Sequence, residues 1–182
     1  PSLAEPMQTG DGLLVRLRPT DDSLTLPKVI ALAAAAERFG NGIIEITARG
    51  NLQLRGLSAT SVPMLEQAIG DAEITIAEGL AIELPPLAGI DPDEIADPRP
   101  IASELREALR ARQLPLKLAP KLSVVIDSGG RFGLGAVVAD IRLQAVSTVE
   151  GAAWVLLLGG TAAKGSIVGT FAGDAVVPAL VT

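Results

Sequence analysis

Residues Ile43 to Gly56 constrain the fold more than any other stretch of the chain, because apolar residues alternate through two short arms that meet at Arg49-Gly50. Alternation with period two is the signature of a half-buried strand, and a tight turn between two such runs makes a hairpin. Ile44 and Ile46 then share one face of the first arm, and Leu52 and Leu54 share one face of the second. The opposite face collects Thr47, Asn51, Gln53 and Arg55, with Arg49 at the turn and Glu45 the only acid close by. Two guanidinium groups and two amides suit a carboxylate-rich ligand or a small oxyanion, since Arg offers a planar fork of donors. The plainer alternative is a solvated sheet face, because exposed Arg and Gln on strands are common.

The flanking elements extend the hairpin into a domain. Gly12 to Arg18 alternates as a strand and places Arg16 and Arg18 on one face with Leu14, adding to the same cationic surface. Thr25 is placed to cap a helix with Pro27 in its first turn. Leu26, Val29, Ile30, Ala33 and Ala36 form its expected apolar stripe, and Gly40 ends it. Ser58 to Ile69 reads as a second helix with Val62, Leu65 and Ile69 on one side and Gly70 as its stop. Strand, helix, strand, strand, helix is most of a ferredoxin-like unit, expected over residues 1–80. Two helices cover one face of such a sheet, so the face carrying Arg, Asn and Gln meets either water or a ligand.

Residues 81–182 are expected to form a second, mixed α/β domain, giving an α+β chain. Gly79 to Pro100, with its prolines and acids, reads as a linker, and Ile101 to Gln113 as a helix. Strands are expected at Lys121 to Asp127, within Val137 to Val146, at Ala152 to Leu158 and at Ser166 to Thr170. A last helix begins at Ala175.

Composition removes whole classes of chemistry. The 182 residues contain no cysteine, so they cannot ligate an iron–sulfur cluster through thiolates, and no histidine, which removes imidazole bases and most zinc sites. A net charge of −6 argues against general nucleic-acid binding, so any cationic site must be local. No apolar run approaches the ~18 residues of a membrane span, and no secretory or lipidation signal is visible. A cytoplasmic location with no membrane or nucleic-acid partner is the expectation.

Three further motifs have ordinary readings. Leu158-Gly159-Gly160-Thr161 to Ser166 looks like a phosphate loop, but Lys164 precedes its glycine and a strand follows. A glycine turn that opens backbone N–H groups to a bulky ligand is the functional alternative to a plain turn there. Asp91, Asp93, Glu94 and Asp97 fit no calcium loop, and with Pro92 and Pro98 they read as a solvated, helix-capping linker. Asp127-Ser128-Gly129-Gly130 reads as a hairpin turn. No metal site is expected.

Taken in order, these segments resemble the sulfite/nitrite reductase family, and within it the oxygen-dependent precorrin-3B synthase branch. Thr47-Ala48-Arg49-Gly50-Asn51-Leu52-Gln53 looks like the family's Thr-x-Arg-(Gln/Gly)-(Asn/Thr)-x-Gln run. The entrance from Met7 to Pro19, the Pro86 to Pro92 linker with Asp97-Pro98-Arg99-Pro100, the Lys121 strand and Leu158-Gly159-Gly160-Thr161 follow the family order. The resemblance implies a ferredoxin-like half-domain that pairs with a second one, followed by a mixed domain. It also implies, in the full-length enzymes, a four-iron cluster with sirohaem or a mononuclear iron. Family anion ligands match Arg18 (with one position skipped before Pro19), Arg49 and Lys121. The reductases have Arg-Lys-x-Lys where this chain has Pro120-Lys121-Leu122-Ser123, a departure that favours the synthase branch.

The expectation is therefore the front half of an enzyme that hydroxylates precorrin-3A with dioxygen in cobalamin biosynthesis, inactive by itself without the cluster-bearing half. Arg18, Arg49, Asn51, Gln53, Arg55 and Lys121 are the expected contacts to a tetrapyrrole substrate or sirohaem; no catalytic residue is assigned. The alternatives are half of a sirohaem reductase, or a non-catalytic tetrapyrrole carrier in which two copies pair.

Overall fold

Alternation along Gly12 to Leu17 and Leu52 to Leu57 buries Val15, Leu17, Leu54 and Leu57 on one side of a sheet. The computed structural model describes residues 1–20, 24–47, 50–77, 79–111 and 121–181. Its chain divides into two compact units, Pro1–Gly79 and Leu80–Thr182.

The first unit contains β1 (Met7–Thr9), β2 (Gly12–Leu17), α1 (Leu26–Phe39), β3 (Ile44–Ile46), β4 (Leu52–Leu57) and α2 (Ser61–Asp71). The strands form one antiparallel sheet in the order β1-β2-β4-β3. Both helices pack on a single face, where Leu32, Ala35 and Ala36 of α1 and Val62, Leu65 and Ile69 of α2 meet Val15, Leu17 and Leu54. This is the expected ferredoxin-like arrangement.

Local details depart from the sequence reading. The buried stripe of α1 is Leu32, Ala35 and Ala36, whereas Leu26, Val29 and Ile30 are exposed. The helix is apolar nearly all round, so periodicity alone does not select its inner face. Gly70 does not stop α2. The helix runs through it to Asp71, and Glu73, at φ +53°, makes the left-handed stop while Ile74 N–H donates to the Ile69 carbonyl. At the other end Ser58 and Ser61 bond reciprocally, each hydroxyl accepting the other's backbone N–H. That reciprocal box satisfies two otherwise unpaired donors.

The second unit contains β5 (Ala81–Glu83), α3 (Arg99–Ala111), β6 (Ser123–Asp127), β7 (Ile141–Thr148), β8 (Gly151–Leu158), β9 (Ser166–Phe171) and α4 (Gly173–Val181). The sheet runs β5-β6-β7-β8-β9, parallel on the β5–β7 side and antiparallel from β7 to β9. Helices α3 and α4 cover one face through Ile101, Leu105, Val176 and Val177, against Val124, Ile126, Leu143 and Trp154.

Two expectations fail here. Ala81–Glu83 is a strand inside the stretch read as linker, and Asp127 to Gly130 opens a crossover rather than a hairpin, because β6 and β7 are parallel. Parallel neighbours cannot be joined by a tight turn. Among the described residues no helix is long and apolar enough to cross a membrane.

Candidate functional site

Register decides which polar side chains of the first sheet meet. Arg16 of β2 lies opposite Gln53 of β4, and Gln53 lies opposite Glu45 of β3. Directly opposed residues project to the same side, so these three form a row across the face that α1 and α2 leave uncovered. With its amide oxygen turned to the guanidinium, Gln53 accepts from Arg16 Nη2 at 2.8 Å and from Arg16 Nε at 3.1 Å.

Arg55 is differently occupied. Its Nε and Nη2 donate to the two oxygens of Asp11 at 3.1 and 3.2 Å, and its Nη1 donates to Glu45 Oε2 at 3.3 Å. Thr9 Oγ1 and Asn41 Nδ2 also donate to Asp11, at 2.8 and 3.0 Å. The Arg55 guanidinium, followed by the Thr9 hydroxyl, holds the Asp11 carboxyl down to about 2, and the two acids raise the Arg55 pKa further above its ordinary value.

The remaining expected contacts divide by position. Arg18 Nη2 donates to the Gly79 carbonyl at 2.8 Å. Asn51 sits at the hairpin turn, half-buried, its backbone N–H donating to Thr47 Oγ1 at 3.1 Å and its carbonyl accepting from Thr47 N–H. Gly50 closes the turn at φ +71°, a conformation that glycine adopts without steric cost. Arg49 lies outside the described residues. Lys121 belongs to the second unit, exposed, two residues ahead of β6. The structure thus brings Gln53, Asn51 and Arg55 onto one hairpin, joins Gln53 to Arg16, and turns Arg18 to a backbone carbonyl.

The acids of residues 91–97 make local bonds, and of the four only Asp91 is buried. Asp91 is buried and accepts from the backbone N–H groups of Asp93 and Arg131 at 3.0 and 2.7 Å. Glu94 accepts from Gly89 N–H, and Asp97 binds the Arg99 guanidinium, which lowers the Asp97 pKa. Among the described residues no cluster of His, Cys, Asp or Glu could hold a metal ion.

A buried polar pair in the second unit joins Asp127, expected only in a hairpin turn, to Arg142, which the sequence did not single out. Arg142 of β7 and Asp127 of β6 are each 1% exposed, with Arg142 Nη1 3.7 Å from Asp127 Oδ2. Arg142 Nη2 donates to the Leu134 and Val137 carbonyls, while Asp127 accepts from Gly129 and Leu134 N–H. This pair fastens the β6–β7 crossover over the sheet face opposite α3 and α4. Desolvation lowers the Arg142 pKa, partly offset by Asp127. The signal in the sequence was an Arg between Ile141 and Leu143 of a strand that also carries Gln144.

Comparison with known proteins places this geometry. Residues 5–72 match the nitrite/sulfite reductase ferredoxin-like half domain. A precorrin-3B synthase of Sinorhizobium sp. is 88% identical over 182 residues, covering all of this chain and 40% of that protein. Residues 5–72 therefore carry the ferredoxin-like half domain of the nitrite/sulfite reductases. A ferredoxin–nitrite reductase of Leptolyngbya laminosa is 34% identical over 102 residues, 53% of this chain and 20% of that protein. The chain therefore spans less than half the length of these curated relatives. In fold it is similar to the NirA protein of Mycobacterium tuberculosis, with a TM-score of 0.62 at 21% identity over 81% of this chain and 28% of that one. Thr9, Asp11, Arg16, Arg18, Asn51, Gln53 and Arg55 all lie within the matched segment, while Lys121 falls outside it.

Proposed function

We propose that this chain supplies part of a precorrin-3B synthase-like oxidoreductase, which hydroxylates precorrin-3A with dioxygen on a route to cobalamin, and that its own task is to hold tetrapyrrole carboxylates. The single observation that carries the reading is 88% identity to a precorrin-3B synthase along all 182 residues. The polar row of the first sheet supports the binding role, because Arg16 and Gln53 stand side by side on a face bare of helices. Arg18, Arg49, Asn51 and Lys121 are the further proposed contacts; Arg55 joins them only when it leaves its acids.

The iron groups of the full-length family divide by chemistry. A four-iron cluster needs thiolates, and these residues include no cysteine, so they do not fit that group. Sirohaem and a tetrapyrrole substrate both carry peripheral carboxylates, and guanidinium and amide donors fit those. The proposed partners are thus a tetrapyrrole and the remainder of such an enzyme. Pro120 and Ser123 stand where the reductases carry Arg and a second Lys, which favours the synthase reading over a sirohaem reductase.

Titrating the 182-residue chain with metal-free uroporphyrin III, followed by absorbance, tests the binding role. Saturable binding that weakens with salt is expected, as screening of charge contacts requires. Equal uptake of the same macrocycle with its carboxylates esterified, or no saturable uptake at all, would refute it.

A further inference from the structure

Arg16 and Arg55, both on the uncovered face of the first sheet, differ in what they already hold. Arg55 spends Nε and Nη2 on Asp11 and Nη1 on Glu45, so every nitrogen of its fork meets a carboxylate. One cation against two anions leaves that trio with a net charge of −1, which repels an incoming carboxylate. Asp11 is also anchored from behind by Thr9 and Asn41, so the clamp is organised before any ligand arrives. Arg16 meets only the neutral oxygen of Gln53, and no described carboxylate is bonded to it.

We infer that Arg16, steadied by Gln53, is the residue of this face that receives a ligand carboxylate, and that Asp11 with Glu45 occupies Arg55 as an internal stand-in which a ligand has to displace. The inference rests on the carboxylate-binding reading above and deepens it by naming the contact and the competitor. Physically it follows from the fork geometry of Arg: Arg55 gives its Nε/Nη2 edge to one carboxylate and its Nη1 to a second, whereas Arg16 gives its Nε/Nη2 edge to a neutral amide oxygen and keeps its full charge. The face therefore distinguishes a ligand that delivers one carboxylate to Arg16 from one that must also evict Asp11. Spacing of carboxylates on the macrocycle becomes a selectivity criterion.

Uroporphyrin III binding to the full 182-residue chain and four variants separates these roles. Arg16→Gln is expected to weaken binding about tenfold or more, the effect of losing one charge-assisted contact. Arg16→Lys keeps the charge but loses the fork, and an intermediate affinity is expected, so a folding defect in the first variant leaves the proposal testable. Asp11→Asn frees Arg55 and is expected to tighten binding about two- to fivefold, while Asp11→Asn with Arg55→Gln removes that gain. Wild-type affinity in both Arg16 variants, or no tightening in Asp11→Asn, overturns the inference. A wild-type chain that takes up no uroporphyrin refutes the binding reading itself, which is a different outcome.

Discussion

Asp11 illustrates how much one side chain's chemistry depends on neighbours remote in sequence. Arg55 lies 44 positions away, yet it is the largest cause of the low Asp11 pKa. A folded-state value of about 2, below the ordinary 3.8, means the contact stabilises the fold above pH 3.8 and is lost as the pH falls from there through about 2. Carboxyl carbon NMR should record a midpoint near 2 for Asp11 in the wild type and a shift back towards 3.8 in Arg55→Gln. A wild-type midpoint at the ordinary value would mean that the clamp does not form in solution. At this scale the sequence was a partial guide. It identified Arg55 and Gln53 as facing together, but nothing local to either residue reveals that Asp11 neutralises one while an amide flanks the other cation. The family motif points to Arg18, which the structure turns to the Gly79 carbonyl.

Among elements, the junction of β2 and β4 carries the most information. Their register shifts between Leu13 and Val15, and the extra residue is accommodated at Gly56, at φ +68°. A Cβ at Gly56 would lie 2.6 Å from Asn41 Cβ and 2.8 Å from Asn41 N. Gly56→Ala is therefore expected to lose stability by at least about 1–3 kcal/mol from backbone strain alone, read as a lower urea midpoint by circular dichroism. An unchanged midpoint would mean that the bulge relaxes freely. The hairpin and both helices of the first unit were legible because alternation, Thr25, Pro27 and Gly40 are local signals. The end of α2 was not legible, since Glu73 adopts a left-handed conformation that its side chain does not advertise. The inner face of α1 was equally hidden, because alanines on every side leave the choice to whatever the helix packs against.

At the scale of the whole molecule, the two units have separate cores, and the single tryptophan, Trp154, is buried in the second. Its fluorescence therefore follows unfolding of Leu80–Thr182. Arg142→Met leaves Asp127 buried without its cation and is expected to cost about 3–5 kcal/mol, seen as a lower guanidinium midpoint for Trp154. Replacing Asp127 by Asn in the same chain should restore part of the loss; no restoration would show that the pair is uncoupled. The α+β class, the order of the elements other than β1 and β5, and the polar side of the hairpin were determined by the sequence alone, because period-two and period-3.6 patterns act within a few residues. Tertiary structure alone decided that β6 and β7 run parallel, that Arg142 is buried beneath their crossover, and that Asp11 takes Arg55 while Arg16 keeps its charge. Those outcomes depend on which distant segments come to lie against a face, and a periodic pattern records that a face exists without recording what covers it.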